Sequence, residues 1–287
     1  MKENETRRGS LKKLAAGAAV AVGAAMTSSQ SHAAAKKADA FAIIGDRYHN
    51  PDYIRTALTR TLVKDAGITV DFRSATELLN AGTLDGYKLL IVFRDGMIWP
   101  SGYGGGHYPG YDVGGDNKVD SIPPLPEMKA EPVMWMRPEQ GRAVREFVEN
   151  GGGALFYHNS SHISLSSDDY RDVEGAVYTG HPPVRRFWLR ITDSGHPITR
   201  GVGDFLVTDE QHYVDYQKSQ DHVFMRSENA DGLDYNRQGA SCEAGWAYDY
   251  GKGRVCFLGP GHMISALWNP EYEKLQRNAA LWLLRRG

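Results

Sequence analysis

The stretch Gly151 to His162 reads GGGALFYHNSSH. Three glycines lead into four apolar residues, Ala154 to Tyr157, and the run ends in a polar knot of His158, Asn159, Ser160, Ser161 and His162. A short continuous apolar run between a glycine break and a polar cluster predicts a central strand buried on both faces. Ligands of open α/β sheets bind beyond the carboxyl ends of such strands, so chemistry is expected where this one stops. A single histidine there can be a satisfied donor or acceptor and nothing more. The neighbours it acquires from the rest of the chain decide which reading holds.

Working outward, the same grammar recurs. AFAIIG, Ala40 to Gly45, predicts a first strand, with Asp46 and His49 at its carboxyl end. Asn50 as cap and Pro51 at the first turn then open a helix whose buried face is Ile54, Leu58 and Leu62. Ile68 to Phe72 reads as a second strand and LLIVF, Leu89 to Phe93, as a third that ends at Arg94 and Asp95. Pro138 opens the helix that delivers the chain into Gly151. Strands alternating with amphipathic helices imply parallel pairing in a doubly wound sheet. Further strands are expected at Val184 to Ile191 and Val223 to Met225, and a hairpin joins Trp246–Tyr250 to Arg254–Leu258 across Gly251-Lys252-Gly253. Asn269 and Pro270 cap a last helix.

The pattern stops between Met97 and Trp135, where glycines and prolines alternate with Trp99, Tyr103, Tyr108 and Tyr111. A loop this long inside a compact domain is commonly a lid or binding loop. Springing from the end of a buried strand, it is expected to cover the site, and its aromatic faces suit a sugar ring.

At the amino end, Arg7-Arg8 precede the weakly apolar run Leu14 to Met26 and the small-residue site Ser31-His32-Ala33. This is the pattern of an export signal, too short in its apolar part to span a bilayer. TRRGSLKK resembles the twin-arginine export motif, so a periplasmic or extracellular protein is expected, starting near Ala34. Cleavage after Ala33 removes five basic and two acidic residues and takes the formal charge from −2 to −5. A mildly acidic chain argues against nucleic acid as a partner, and after signal removal no membrane span is expected. An oligomer is compatible with this composition.

Two cysteines in an exported chain invite a disulfide. Across the expected hairpin, Cys256 faces a residue near Tyr248, six residues from Cys242 and roughly 20 Å away along the strand. A disulfide needs Cα atoms within about 7 Å, so two free thiols are predicted.

The run His196-Pro197-Ile198-Thr199-Arg200-Gly201 is followed by Gly203-Asp204-Phe205 and Thr208-Asp209-Glu210. Trp246, Tyr250-Gly251-Lys252-Gly253-Arg254-Val255 and Gly261-His262 complete a set that resembles the trehalose-utilisation, or ThuA-like, family. The resemblance implies a flavodoxin-like, class I glutamine amidotransferase-like three-layer α/β/α sandwich with a mainly parallel sheet. It also implies handling of disaccharides or their keto derivatives, with a small-molecule carbohydrate as partner and no nucleotide cofactor. Amidotransferases of this fold carry a cysteine nucleophile after the central strand, whereas here the turn is His158-Asn159-Ser160, which excludes thiolate chemistry at that point. The absence of a GxSxG motif argues against a serine hydrolase.

His49, His158, His162 and His262 all follow expected strand ends, and the family fold brings Glu210 and His212 to the same side. The expected groups for the chemistry are His158 and His162 with Asp95 and Arg94. His49, Asn159, Trp99, Tyr103 and Tyr108 are expected to hold the substrate. His158, Glu210, His212 and His262 form a ligand set for zinc or a similar divalent metal. His196, in a turn before proline, reads as structural, and His181 and His222 show no partner in the sequence. Two functions fit: an enzyme of isomerisation, elimination or hydrolysis acting on a disaccharide or keto-sugar glycoside, and a carbohydrate-binding protein without catalysis.

Overall fold

The computed structural model describes residues 37–100, 122–123 and 131–286. The expected export segment, Tyr103, Tyr108 and most of the 97–135 insertion lie outside those residues. The first half of the chain forms β1 (Ala40–Ile44), α1 (Pro51–Leu58), β2 (Val70–Arg73), α2 (Ala81–Leu84) and β3 (Leu89–Phe93). Next come β4 (Met97–Ile98), β5 (Val133–Met134), α3 (Pro138–Glu149), β6 (Gly153–Tyr157), α4 (Asp168–Glu174) and β7 (Ala176–Gly180). The remainder is β8 (Arg185–Ile191), β9 (Phe205–Asp209), β10 (Tyr213–Tyr216), β11 (Val223–Asn229), β12 (Ser241–Tyr250), β13 (Gly253–Leu258), α5 (Ile264–Leu267) and α6 (Pro270–Leu283).

Nine strands share one sheet in the order β2-β1-β3-β6-β13-β12-β11-β8-β9. The first five are mutually parallel, as the alternation of strands and helices predicts. From β13 onward every pairing is antiparallel, so the complete sheet is mixed and its parallel half forms the core. Every residue of β1, β3 and β6 is buried. Successive residues pack into opposite layers: Leu155 and Tyr157 of β6 face α1 and α6, while Ala154 and Phe156 face α3 and α4. Burying a side chain the size of Leu or Phe contributes about 1.5–3 kcal/mol, and these strands do so on both faces.

Local chemistry starts the helices where expected. The Asn50 side chain accepts from the Asp52 N–H ahead of Pro51, and Asn269 does the same for Glu271 ahead of Pro270. The chain reverses direction across the sheet between β1 and β3, the crevice where open α/β sheets bind ligands.

Several features depart from the sequence reading. The α1 spiral continues as a π-helix over Thr59–Asp65, and β2 starts two residues later than expected. The β12–β13 hairpin places Cys256 opposite Ala247, one residue from the expected register, because Tyr250 pairs directly with Gly253 around Gly251-Lys252. The conclusion drawn from that hairpin still holds: Cys242 lies opposite Ser227 of β11, and both cysteines are free and buried. Finally, β4 and β5 pair Met97 with Met134 and Ile98 with Val133. The insertion thus leaves and re-enters the domain on a two-stranded neck.

No helix among the described residues is long and apolar enough to cross a membrane.

Candidate active site

The carboxyl ends of β1, β3, β6 and β13 deliver His49, Asp95, His158 and His262 to one edge, as the strand assignments require. Glu210 and His212, just past β9, join them although β9 is the far edge strand of the sheet. The link is Asp209, whose carboxylate accepts the Gly261 N–H at 2.7 Å and the Met263 N–H at 3.0 Å. It also accepts the Glu210 N–H at 2.9 Å, so one buried carboxylate ties the β9 turn to the loop that carries His262.

The turn after β6 is strained in an informative way. His158 adopts φ of +47°, a left-handed conformation that is uncommon outside glycine and clusters at functional sites. Its close neighbour is Gly261, where an added Cβ would come within 2.6 Å of the His158 Cβ and 2.7 Å of the Phe93 ring. The His158 ring is fully buried and its Nδ1 lies 2.9 Å from the Gly259 carbonyl oxygen. A carbonyl accepts only, so Nδ1 carries the hydrogen and Nε2 presents a lone pair. That lone pair faces Glu210 Oε2 at 3.4 Å and has no hydrogen-bond partner. Two acceptors at that separation repel unless a proton or a cation lies between them, and burial pushes the His158 pKa down.

His49 is oriented in the same manner. Its Nδ1 sits 3.0 Å from Asp46 Oδ1, and its Nε2 points to His262 Nδ1 at 3.1 Å. His262 Nδ1 in turn lies 3.2 Å from Glu210 Oε2. Asp46 is held in place by the backbone N–H groups of Tyr48, His49 and Asp95. Burial opposes its ionisation, but the hydrogen bond and charge of His49 hold it down to about 2. Carboxylate to imidazole to ligand position is the arrangement that orients metal-binding histidines.

The ligand atoms of His49, His158, Glu210 and His262 all lie within 4.8 Å of one another. Donors on a tetrahedral zinc ion, each about 2.0–2.1 Å from it, are separated by about 3.4 Å. The three separations just given, 3.1, 3.2 and 3.4 Å, match that edge length. Burial disfavours charge on Glu210, yet the imidazoles of His158, His212 and His262 beside its carboxylate bring its pKa well below the usual range. Burial drives His212 toward the neutral ring, whereas Glu210 outweighs burial at His262 and raises its pKa. These residues can hold a divalent metal.

The opposite wall carries His162, whose Nδ1 is 3.5 Å from Asp95 Oδ1, close enough to pair and too long for a full hydrogen bond. Tyr178 lies edge-on to His162 with ring centroids 5.2 Å apart. Asn159 donates to Asp46, placing it behind His49 as well as on the pocket wall. The cavity is about 320 Å3 and is lined by Asp95, Asn159, His162 and Tyr178 together with Tyr48, Met97 and His181.

Not every expected residue faces this cavity. Arg94 directs its guanidinium to the Ser74 carbonyl at 2.5 Å and packs over Trp135, outside the lining. Trp99 also lies outside the lining and stacks against the Arg47 guanidinium at 4.1 Å. Three contributors had no role in the sequence reading: Asp46, Tyr178 and His181. The spacing Asp46-x-x-His49 in a turn was a usable signal for the first. His181 had none, because it reaches the site only through the pairing of β7 with β10. His196 is structural, accepting the Ile198 N–H, stacking on Phe224 and meeting Trp282 edge-on.

Fold and pocket together define a doubly wound α/β protein that gathers imidazoles and carboxylates at the carboxyl edge of its parallel strands. The family model for trehalose utilisation, ThuA, matches residues 127–283, more than half of the sequence. The chain belongs to the ThuA-like family. Among solved structures it is similar to a ThuA-like protein of Parabacteroides merdae, at 15% identity and a TM-score of 0.60 over 87% of this chain and 90% of that one. A ThuA-like protein of Bacteroides uniformis shows 14% identity and a TM-score of 0.55 over 85% and 90%. A β-galactosidase of a Rahnella species shares 14% identity, with a TM-score of 0.50 over 87% of this chain but 32% of the enzyme. These likenesses establish the fold, including β1 to β3, which precede the family match. No curated protein sequence gives a match.

Proposed function

We propose that this ThuA-like protein is an exported enzyme acting on a disaccharide or keto-sugar glycoside. The observation that carries the reading is the buried His158 Nε2 lone pair facing Glu210 Oε2 at 3.4 Å, a contact that a bound divalent cation would relieve. His49, His158, Glu210 and His262 would hold it. When bound, the cation would supply a Lewis acid that polarises a carbonyl or hydroxyl oxygen. His162, oriented by Asp95 across the cavity, takes the proton from the carbon beside that oxygen or from water. Proton removal next to a polarised carbonyl is common to isomerisation and elimination, and a water in the same position leads to hydrolysis.

The carbohydrate assignment draws on the family's link to trehalose utilisation, and on the partial likeness to a β-galactosidase. It draws also on Tyr48 and Tyr178, two aromatic residues that line the cavity. Export is supported by Arg7-Arg8 ahead of the apolar run.

Purified protein incubated with keto and unmodified disaccharides and followed by mass spectrometry tests the reading. Conversion of a keto sugar that falls ~10²–10⁴-fold in His162→Ala, at unchanged metal content, is the expected result. Saturable sugar binding with no product in the wild type would identify a non-catalytic carbohydrate-binding protein instead.

A further inference from the structure

Glu210 has imidazoles on both sides, more than one tetrahedral ion can use. His158 Nε2 and His262 Nδ1 approach its Oε2 at 3.4 and 3.2 Å, with His49 completing that group. A second group, His181, Glu210 and His212, also has its ligand atoms within 4.8 Å of one another, and Glu210 is the member the two groups share. In this second group His212 Nε2 is 3.5 Å from Glu210 Oε2, and His181 Nδ1 is 3.8 Å from Oε1.

The second group points to a ligand on its own evidence. His212 is 8% exposed, yet neither ring nitrogen has a hydrogen-bond partner. A buried polar atom left without a partner costs about 1–3 kcal/mol, so such groups are rare unless something fills the position. His181 approaches the Pro182 carbonyl through Nδ1 at 2.9 Å. The carbonyl oxygen can only accept, so in this rotamer Nδ1, the nitrogen that also faces Glu210, carries the hydrogen, and ligation through Nε2 requires the ring of His181 to turn. Its ring lies nearly parallel to that of His212, at 12°, with centroids 4.9 Å apart. Three protein ligands with the remaining positions open to the cavity is the donor count of a catalytic rather than a structural metal site.

We propose that the pocket is a two-metal centre in which Glu210 bridges one divalent cation held by His49, His158 and His262 and a second held by His181 and His212. This rests on the metal reading above and deepens it. Imidazole and carboxylate donors suit zinc, manganese or cobalt rather than calcium. Bridged pairs of this kind sit about 3.5–4 Å apart and take two oxygens of one substrate. The substrate class that fits is one with oxygens on adjacent carbons, an α-hydroxy ketone or vicinal diol, which a keto sugar provides.

The test is stoichiometry in the full-length protein, prepared without affinity-column metal, stripped with chelator and titrated with Co2+. Two equivalents per chain are expected, and the Mn2+-loaded wild type should show the exchange-coupled spectrum of a metal pair by electron paramagnetic resonance. The His181→Ala, His212→Ala double variant should saturate at one equivalent and lose the coupled spectrum. Saturation of the wild type at one equivalent, with an uncoupled Mn2+ spectrum, overturns the second site and leaves the first. No binding by the wild type overturns both. The spectrum of the wild type decides the matter even where the double variant does not fold.

Discussion

At the scale of single residues, the site depends on close approach and on buried charge. Gly261 touches both the strained His158 and the Phe93 ring, and neither is a flexible side-chain end that can move aside. Gly261→Ala should therefore cost about 1–3 kcal/mol and displace His158. A lowered Tm together with reduced metal uptake is expected, and an unchanged melting curve would show that the loop yields freely. Glu174 makes the complementary case. Buried behind the site, where it accepts a hydrogen bond from Ser160 at 3.0 Å, its carboxyl is pushed up by burial to about 8. The folded state keeps this proton while the unfolded chain releases it above about 4.5, so the wild type loses stability as pH rises from about 5 to 8, at most ~1.4 kcal/mol per unit. Glu174→Gln removes that slope. Denaturant curves of both proteins at pH 5 and pH 8 should show the variant gaining on the wild type at the higher pH, and parallel profiles would refute a neutral Glu174.

Among the elements, the turn after β9 and the loop after β13 act as one unit because Asp209 accepts three backbone N–H groups from them. Burial raises the Asp209 pKa while the charge of His158 and the hydrogen bonds of Glu210 and Gly261 oppose that rise. Asp209→Asn replaces one acceptor oxygen by a donor that faces an N–H. The expected cost is about 1–3 kcal/mol in stability and about 10–100-fold in metal affinity, since groups that orient ligands are worth that much. Metal titration and thermal melting measure the two effects, and wild-type affinity in this variant would detach Asp209 from the site. The β4–β5 neck is the other element of consequence. It brings Met97 to the cavity wall and leaves Trp135 donating from its indole N–H to the Asp95 carbonyl at 2.7 Å, so the insertion is anchored beside the proposed proton-transfer pair.

For the molecule as a whole, the proposed route out of the cytoplasm follows from Arg7-Arg8 and the weakly apolar run behind them. Changing both arginines to lysine should retain precursor in the cytoplasm, read by fractionation and the mass of the amino terminus. Normal export of that variant would assign a different route. The sheet supplies the complementary large-scale fact: its five parallel strands carry four of the site elements, and its antiparallel extension ends in β9, which carries the bridging carboxylate. Strands adjacent in the ladder did not bring Glu210 to His158. The packing of β9 against α5 and the Gly261–Met263 loop did.

What the sequence by itself determined is everything that depends on neighbours along the chain. LLIVF became β3 residue for residue, and GGGALFYHNSSH became a buried strand followed at once by the polar turn, because a short apolar run bounded by glycines and polar residues suits the centre of a sheet. The same logic placed His49, His158 and His262 at a common edge. Only the tertiary structure decided what their ring nitrogens meet, since the Gly259 carbonyl holds His158 Nδ1 while Asn159 and His262 approach the two nitrogens of His49. It alone turned Arg94 away to Ser74 and brought in His181 and Tyr178 on a β7–β10 ribbon that the sequence reading did not resolve. Those outcomes depend on contacts between segments separated by tens of residues, and local propensity and periodicity carry no information about them.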